Sequence, residues 1–317
     1  GNPEVLIIDE AQREPECARI VKGWYDSQLP VKFVLLGSSS LNLLSQATES
    51  LTGRNLKIQL PPFVLSESLA AESWMQSEYT MPIVEEHFAA QFRVALVRSM
   101  VFGGYPEVVV SDNKVELLRE LAGDYLWKDI LQAGLVKTPD LIRQLLTLLA
   151  HQAGSEVSTN ELAQQLGIAR ATVDRYLDLL EETFVLFRLP AYSTNPRKEI
   201  AKSKKIFFWD TGIRNAILNA FDPTENRSDI GKLFENYLIA EIAKRNLLAE
   251  NPVELYFWRN RDRAEVDLIV KQGDQLQPFE IKWGKKTGRH STAFLNAYGV
   301  PVKTLTSTKP SEWVDFR

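Results

Sequence analysis

Apolar positions near the start of the chain fall into short unbroken runs. VLII (5–8) and FVLLG (33–37) are rich in branched residues, and ECARIVKGWYDSQ (16–28) lies between them with helical spacing. Short apolar runs joined by a helix are typical of parallel strands that are covered on both faces. We therefore predict a parallel α/β unit over residues 1–70.

The next part of the chain repeats apolar residues every three or four positions. This spacing predicts helices over residues 81–109 and 113–134. FGGYPE (102–107) supplies a glycine–proline turn between them. We interpret residues 71–135 as a helical lid or connector.

Residues 136–220 have the pattern of a winged helix. Amphipathic segments cover residues 138–154, 160–167 and 169–184, and Ser158 lies three residues before Glu161 in capping-box spacing. FVLFRLPAY and KKIFFWD then flank STNPRKEIAKS, as two strands flank the tip of a wing. Two helices joined by a short glycine-containing turn predict a helix-turn-helix.

The final segment, residues 221–317, predicts a helix followed by a strand and a hairpin. GKLFENYLIAEIAKRN (231–246) is helical, LYFWR (255–259) is a strand, and DLIV (267–270) and FEIKW (279–283) flank a Gly-Asp turn. This register sets Asp267 opposite Glu280, with Cβ atoms ~4.5–5.5 Å apart. Val266, Leu268 and Val270 should share a face with the apolar residues of FEIKW.

Composition limits the classes of function. The 317 residues have room for two or three domains, and the net charge of -4 excludes a generally cationic surface for nucleic acid. DNA contact would therefore need a local patch. One cysteine allows no internal disulfide and suits a cytoplasmic protein. Without an apolar run near ~18 residues, we expect no membrane partner.

Polar residues directly follow both apolar runs of the first unit. Asp9, Glu10 and Ser38 would meet beyond the carboxyl ends of the two strands, where open α/β sheets bind ligands. Asp9 could hold Mg²⁺ through water, Glu10 could orient an attacking water, and Ser38 could contact a γ-phosphate. The alternative is that Asp9 caps the next helix.

The hairpin brings like charges together. Facing carboxylates at Asp267 and Glu280 destabilise a sheet unless a cation joins them, and Mg²⁺ or Mn²⁺ prefers such oxygen ligands. Lys282 could then orient a water or stabilise charge on a phosphate, and Glu235, on the inward stripe of its helix, could complete the site. We expect the nearby Asp262 and Glu265 to be solvated.

Basic residues suggest a DNA contact in the winged helix. Arg170, Thr172 and Arg175 lie on the outward side of its third helix, which could enter a major groove. The predicted wing adds five cations against the single acid Glu199: Arg197, Lys198, Lys202, Lys204 and Lys205. The alternative is a solvated loop on a winged helix that contacts protein. Asp210 could cap a helix or take part in chemistry.

Several motifs resemble one known family. VLIIDEAQ, LLGSSSLNLL and SLTGRNLKIQLPPFVLSE resemble the Walker B, sensor and arginine segments of a bacterial and archaeal AAA-type ATPase family, and FGGYPE and KIFFWDTGIRNAIL resemble later segments. The resemblance implies a catalytic role for Glu10 and a phosphate-sensing role for Arg54, which is otherwise a surface charge. No G-x-x-x-x-G-K-[ST] occurs in the chain, so ATP and Mg²⁺ would need a P-loop from elsewhere. We interpret this as truncation rather than degeneration.

The C-terminal pattern resembles the PD-(D/E)xK nuclease fold. The likeness places Glu235, Asp267, Glu280 and Lys282 in catalytic positions, with Mg²⁺ or Mn²⁺ at the acids; the alternative is the same fold without activity. The fold class is therefore multi-domain α/β: a partial P-loop-type parallel sheet, a helical and winged-helix middle, and a restriction-endonuclease-like C-terminal domain.

Three hypotheses follow from these patterns. The first is a DNA-handling AAA-type ATPase, a family whose members often form homo-oligomeric rings. The second is a metal-dependent DNA nuclease. The third is a non-catalytic protein-interaction scaffold or regulator.

Overall fold

The chain is a mixed α/β protein with several helices and three small sheets among the residues described. The computed structural model describes residues 4–11, 14, 16–37, 55–125, 139–193, 204–284 and 292–314. Within these ranges, no helix combines the length and the apolar character needed to cross a bilayer.

The N-terminal unit contains the predicted parallel strands. β1 (Val5–Ile8) pairs in parallel with β2 (Lys32–Leu35), and helix α1 (Cys17–Asp26) connects them. Buried residues of α1 pack with Ile8, Phe33 and Leu35 on one face. On the other face Val5 and Ile7 are 46% and 61% exposed. The prediction that both faces are covered is therefore wrong for the described residues.

Short helices follow, as the three- and four-residue spacing predicts. They are α2 (Leu65–Leu69), α3 (Met81–His87), α4 (Ala89–Phe102), α5 (Pro106–Val110) and α6 (Lys114–Glu120), with a π-helical turn over Leu121–Tyr125. The predicted turn at FGGYPE separates α4 from α5, and Gly103 adopts a φ of 74° there. This left-handed conformation favours glycine because it has no Cβ.

Three helices and an antiparallel strand pair form the next unit. The helices are α7 (Pro139–His151), α8 (Thr159–Leu166) and α9 (Arg170–Glu182); the strands are β3 (Leu186–Leu189) and β4 (Lys205–Phe208). The Ser158 hydroxyl accepts a hydrogen bond from the Glu161 amide, as the capping spacing predicts. Gly167 ends α8 with a φ of 64°. The helices and both strands bury a common apolar cluster.

The C-terminal part is a four-stranded sheet with helices beside it. The elements are α10 (Thr211–Ile217), α11 (Ile230–Leu248), β5 (Glu254–Arg259), β6 (Glu265–Gln272), β7 (Gln275–Lys282), α12 (Thr292–Tyr298), β8 (Lys303–Thr306) and a 3₁₀ turn (Pro310–Glu312). β5, β6 and β7 are antiparallel neighbours, and β8 adds in parallel to β7. The pattern of apolar runs in the sequence did not predict α12 or β8.

The largest apolar core is shared by distant parts of the chain. It takes side chains from α2 to α4, from β3 and β4, from α11 and from the C-terminal sheet. Leu268, Val270, Phe279 and Ile281 face this core, as predicted. Val266 instead packs with Ile269 in a second cluster beneath α12, because the β5–β6 register shifts between Tyr256 and Trp258.

A close backbone junction joins the FGGYPE turn to the start of α10. The buried Asp210 carboxylate accepts hydrogen bonds from the Gly104 amide at 2.7 Å and the Ile213 amide at 3.1 Å. A Cβ at Gly104 would lie 2.3 Å from the Phe63 carbonyl oxygen, and one at Gly212 would lie 2.4 Å from that of Phe102. Glycine at positions 104 and 212 therefore allows three backbone segments to approach one another closely.

Replacing Gly104 with alanine should strongly destabilise the protein, because backbone atoms cannot yield as a flexible side chain does. We expect a loss of about 1–3 kcal/mol in the free energy of unfolding, measured by urea titration. The matched control is Gly231→Ala in α11, where a Cβ meets nothing within 4 Å. Equal stability of the two variants would contradict the junction.

Candidate functional site

The strand ends of the N-terminal unit bring Asp9 and Glu10 to one edge. Both follow β1 directly, and the adjoining Ala11 amide donates to the Leu36 carbonyl just after β2. The Glu10 amide donates to Asp9 Oδ1 at 2.9 Å, and Glu10 has a φ of 49°. Asp9 is exposed and Glu10 half-buried. Ser38 and Arg54, predicted to complete this site, lie outside the described residues.

The C-terminal hairpin has the predicted register. Pairs run from Gln272 with Gln275 to Leu268 with Phe279, around the turn at Gly273. Asp267 lies one step beyond the last paired position, and its Oδ2 accepts the Ile281 amide at 2.8 Å. The Asp267 carboxylate is therefore held by backbone from the opposite strand.

Lys282 lies between the two hairpin acids. Its Nζ is 3.4 Å from Asp267 Oδ2 and 3.8 Å from Glu280 Oε2. Glu280 is 6% exposed, so its charge is well removed from solvent. The structure brings these three predicted residues together, with an ammonium group facing the carboxylates.

A second ammonium group enters the site from β4. The Lys205 Nζ lies 3.0 Å from Glu235 Oε1 on α11 and 2.5 Å from Glu265 Oε1 on β6. It also lies 5.5 Å from the centre of the Phe257 ring. Lys205 is only 3% exposed. We call Lys205, Glu235, Glu265, Asp267, Glu280 and Lys282 the hairpin cluster.

Burial and mutual attraction set the charges of this cluster. Burial opposes ionisation of Lys205, but Glu235, Glu265 and Asp267 outweigh it and raise the lysine pKa above its usual value. Burial also raises the pKa of the Glu235 carboxyl; Lys205 counters this rise, and Asp267 and Glu265 add to it. The carboxylates therefore depend on Lys205 for compensation.

The carboxylates do not fit a divalent ion as they are arranged. Across the described ranges, no three His, Cys, Asp or Glu side chains are grouped to hold a metal. Glu235 and Glu265 contact Lys205, and Asp267 lies beside Lys282. The bridging role that the sequence predicted for Mg²⁺ or Mn²⁺ is taken in this structure by ammonium groups.

Two expectations for individual residues are corrected here. Lys205 was predicted to contact DNA phosphates, but its side chain is buried in two ion pairs. Glu265 was expected to be solvated, but it binds that lysine. The sequence did contain a signal that Lys205 is buried. Lys205 is the first residue of the run KIFF, and all four residues of this run are buried.

The remaining predicted DNA contacts lie on the three-helix unit. Arg170 and Arg175 are exposed on α9, Thr172 is half-buried, and Lys204 is exposed just before β4. Arg170 lies 3.5 Å from Asp174, one turn along the helix. Arg197, Lys198 and Lys202 fall outside the described residues. Asp210 is a buried helix cap rather than an exposed chemical group.

Three family models match successive parts of the chain. Residues 1–69 match the family model described as an AAA domain. Residues 93–224 and 230–309 match two domains of unknown function, DUF8612 and DUF4143. The matches support an AAA-type ATPase-like family. Asp9 and Glu10 lie within the range that matches the AAA domain.

Proteins similar to this chain occur in bacteria and archaea. An uncharacterized protein of Mycobacterium tuberculosis is 30% identical over 89% of the chain and 59% of that relative. One of Haemophilus influenzae is 23% identical (90% and 68%), and one of Methanocaldococcus jannaschii is 27% identical (85% and 59%). The chain thus spans about three fifths of the mycobacterial relative. No solved structure gives a significant match.

Removing the Lys205 ammonium should destabilise the fold, because the half-buried carboxylates of Glu235 and Glu265 lose the cation that binds both of them. We expect Lys205→Met to lower the free energy of unfolding by about 3–5 kcal/mol in urea titrations. The matched control is its exposed neighbour, Lys204→Met, with a change within about 0.5 kcal/mol. Similar losses in the two variants would mean that Lys205 is not the buried counter-ion.

Proposed function

We propose that this chain is part of a DNA-handling AAA-type ATPase, in which a winged helix contacts DNA. The carrying observation is the AAA domain match over residues 1–69, with Asp9 and Glu10 at the carboxyl end of β1, which pairs in parallel with β2. In this proposal Asp9 helps to hold Mg²⁺ with ATP and Glu10 orients the attacking water. Because the chain has no G-x-x-x-x-G-K-[ST], hydrolysis requires a P-loop from outside these residues.

DNA contact is assigned to the start of α9. Helices α8 and α9 meet at the Gly167 turn, in the order of a helix-turn-helix, and β3 and β4 follow as wing strands. Arg170 and Arg175 are the exposed cations of α9, accompanied by Asp174 and Asp178. Such a mixed surface supports modest, salt-sensitive phosphate binding rather than a strong sequence-independent grip.

The end of the segment that matches the AAA domain is anchored in the rest of the molecule. Glu241 Oε2 on α11 accepts the Leu65 amide at 2.6 Å, and Lys244 Nζ donates to the Phe63 carbonyl at 3.1 Å. Both α11 side chains are buried. A change of nucleotide state that moved Phe63 would therefore strain contacts with α11, which gives a physical route for coupling to the C-terminal part.

Fluorescence anisotropy with duplex, forked and single-stranded DNA tests this function. The full chain should bind with an affinity that falls as salt rises. Arg170→Ala/Arg175→Ala should weaken binding and reduce the slope of log affinity against log salt by about 2, roughly one per lost phosphate contact.

The control removes two exposed cations elsewhere: Arg19→Ala/Lys303→Ala should leave binding nearly unchanged. Absence of DNA binding even at low salt would refute the DNA part of the proposal. An equal loss in both double variants would mean that net charge, not the α9 surface, governs binding.

A further inference from the structure

The acids of the hairpin cluster contact cationic side chains of the chain itself, without any added ion. Its carboxylates are Glu235, Glu265, Asp267 and Glu280. Lys205 and Lys282 face them, and the Nε of Arg259 approaches Glu265 at 3.9 Å. Four acidic side chains thus meet two ammonium groups, together with the Arg259 guanidinium, which also pairs with Glu156 at 2.8 Å. A divalent ion placed among them would face repulsion from the resident ammonium groups.

The surroundings of the Lys205 ammonium suit an organic cation. The Phe257 ring centre lies 5.5 Å from Nζ, and aromatic faces attract ammonium groups. Mg²⁺ sheds water reluctantly and usually keeps several water ligands. With Lys205 only 3% exposed, a hydrated ion would have to displace the whole side chain from a packed site.

Lys205 is the first residue of strand β4, and side chains of α11 bind both ends of this strand. At its other end the Phe208 amide donates to Asn236 Oδ1 at 3.0 Å, and Asn236 Nδ2 donates to the Phe208 carbonyl at 2.8 Å. Glu235 and Asn236 are neighbours on α11, so one turn of that helix holds both ends of the strand. The lysine position is therefore built into the fold.

We propose that Lys205 acts as an internal counter-ion that replaces a divalent metal in the hairpin cluster. The carboxylates then serve to lock β4, and with it the three-helix unit, onto α11 and the C-terminal sheet. The C-terminal part is accordingly a non-cleaving scaffold, with acids committed to ion pairs rather than to phosphate hydrolysis. This inference does not depend on ATP or DNA binding.

Mn²⁺ titration of the full chain tests the proposal directly. Electron paramagnetic resonance should show no loss of the free Mn²⁺ signal with wild-type protein, and Mn²⁺ should leave its thermal midpoint unchanged. Saturable binding of one ion, lost in Asp267→Asn, would overturn the proposal. This test uses the wild type and Asp267→Asn, so it does not depend on whether a Lys205 variant folds.

Removing the internal cation should create a response to the external one. Lys205→Met should melt at lower temperature than wild type, and Mn²⁺ should restore part of the loss because Glu235 and Glu265 lose their ammonium partner. Lys205→Met/Asp267→Asn should respond less to Mn²⁺, and Lys205→Arg, which keeps the charge, should not respond. A Lys205→Met variant that Mn²⁺ does not stabilise, folded or not, would contradict the replacement.

Discussion

The buried ammonium of Lys205 is the interaction on which the C-terminal part of the molecule depends. Four carboxylates approach one another where α11, β6 and β7 converge, and their mutual repulsion would oppose that packing. The Lys205 ammonium binds Glu235 and Glu265 directly, so the fold needs no metal at those oxygens. Lys205 belongs to β4. The contact that neutralises the acids therefore also attaches the three-helix unit to the C-terminal part.

Attachment by polar contacts recurs along α11. Asn236 holds the end of β4, while Glu241 and Lys244 hold residues 63–65, at the end of the range that matches the AAA domain. Buried charges are costly to separate once paired. Helix α11 thus makes hydrogen bonds to two other parts of the chain. These are the contacts through which the proposed nucleotide coupling would act.

Local sequence patterns predicted most elements, because period and caps are local properties. The Ser158 cap, the parallel pairing of β1 with β2 and the hairpin register all depend on residues near one another in sequence or on simple counting. The predicted register also placed Asp267 and Lys282 in the candidate site. Lys205 was misassigned because its partners lie 30 and 60 residues away, beyond the reach of any local pattern.

A double-mutant cycle between Lys205 and Glu265 tests the internal counter-ion most directly. Unfolding free energies would be measured by urea titration for wild type, Lys205→Met, Glu265→Gln and the double variant. The account predicts a favourable coupling energy of at least about 1 kcal/mol, as expected for a contacting buried pair. Losses that add to within about 0.3–0.5 kcal/mol would show that the two side chains act independently and would contradict the account.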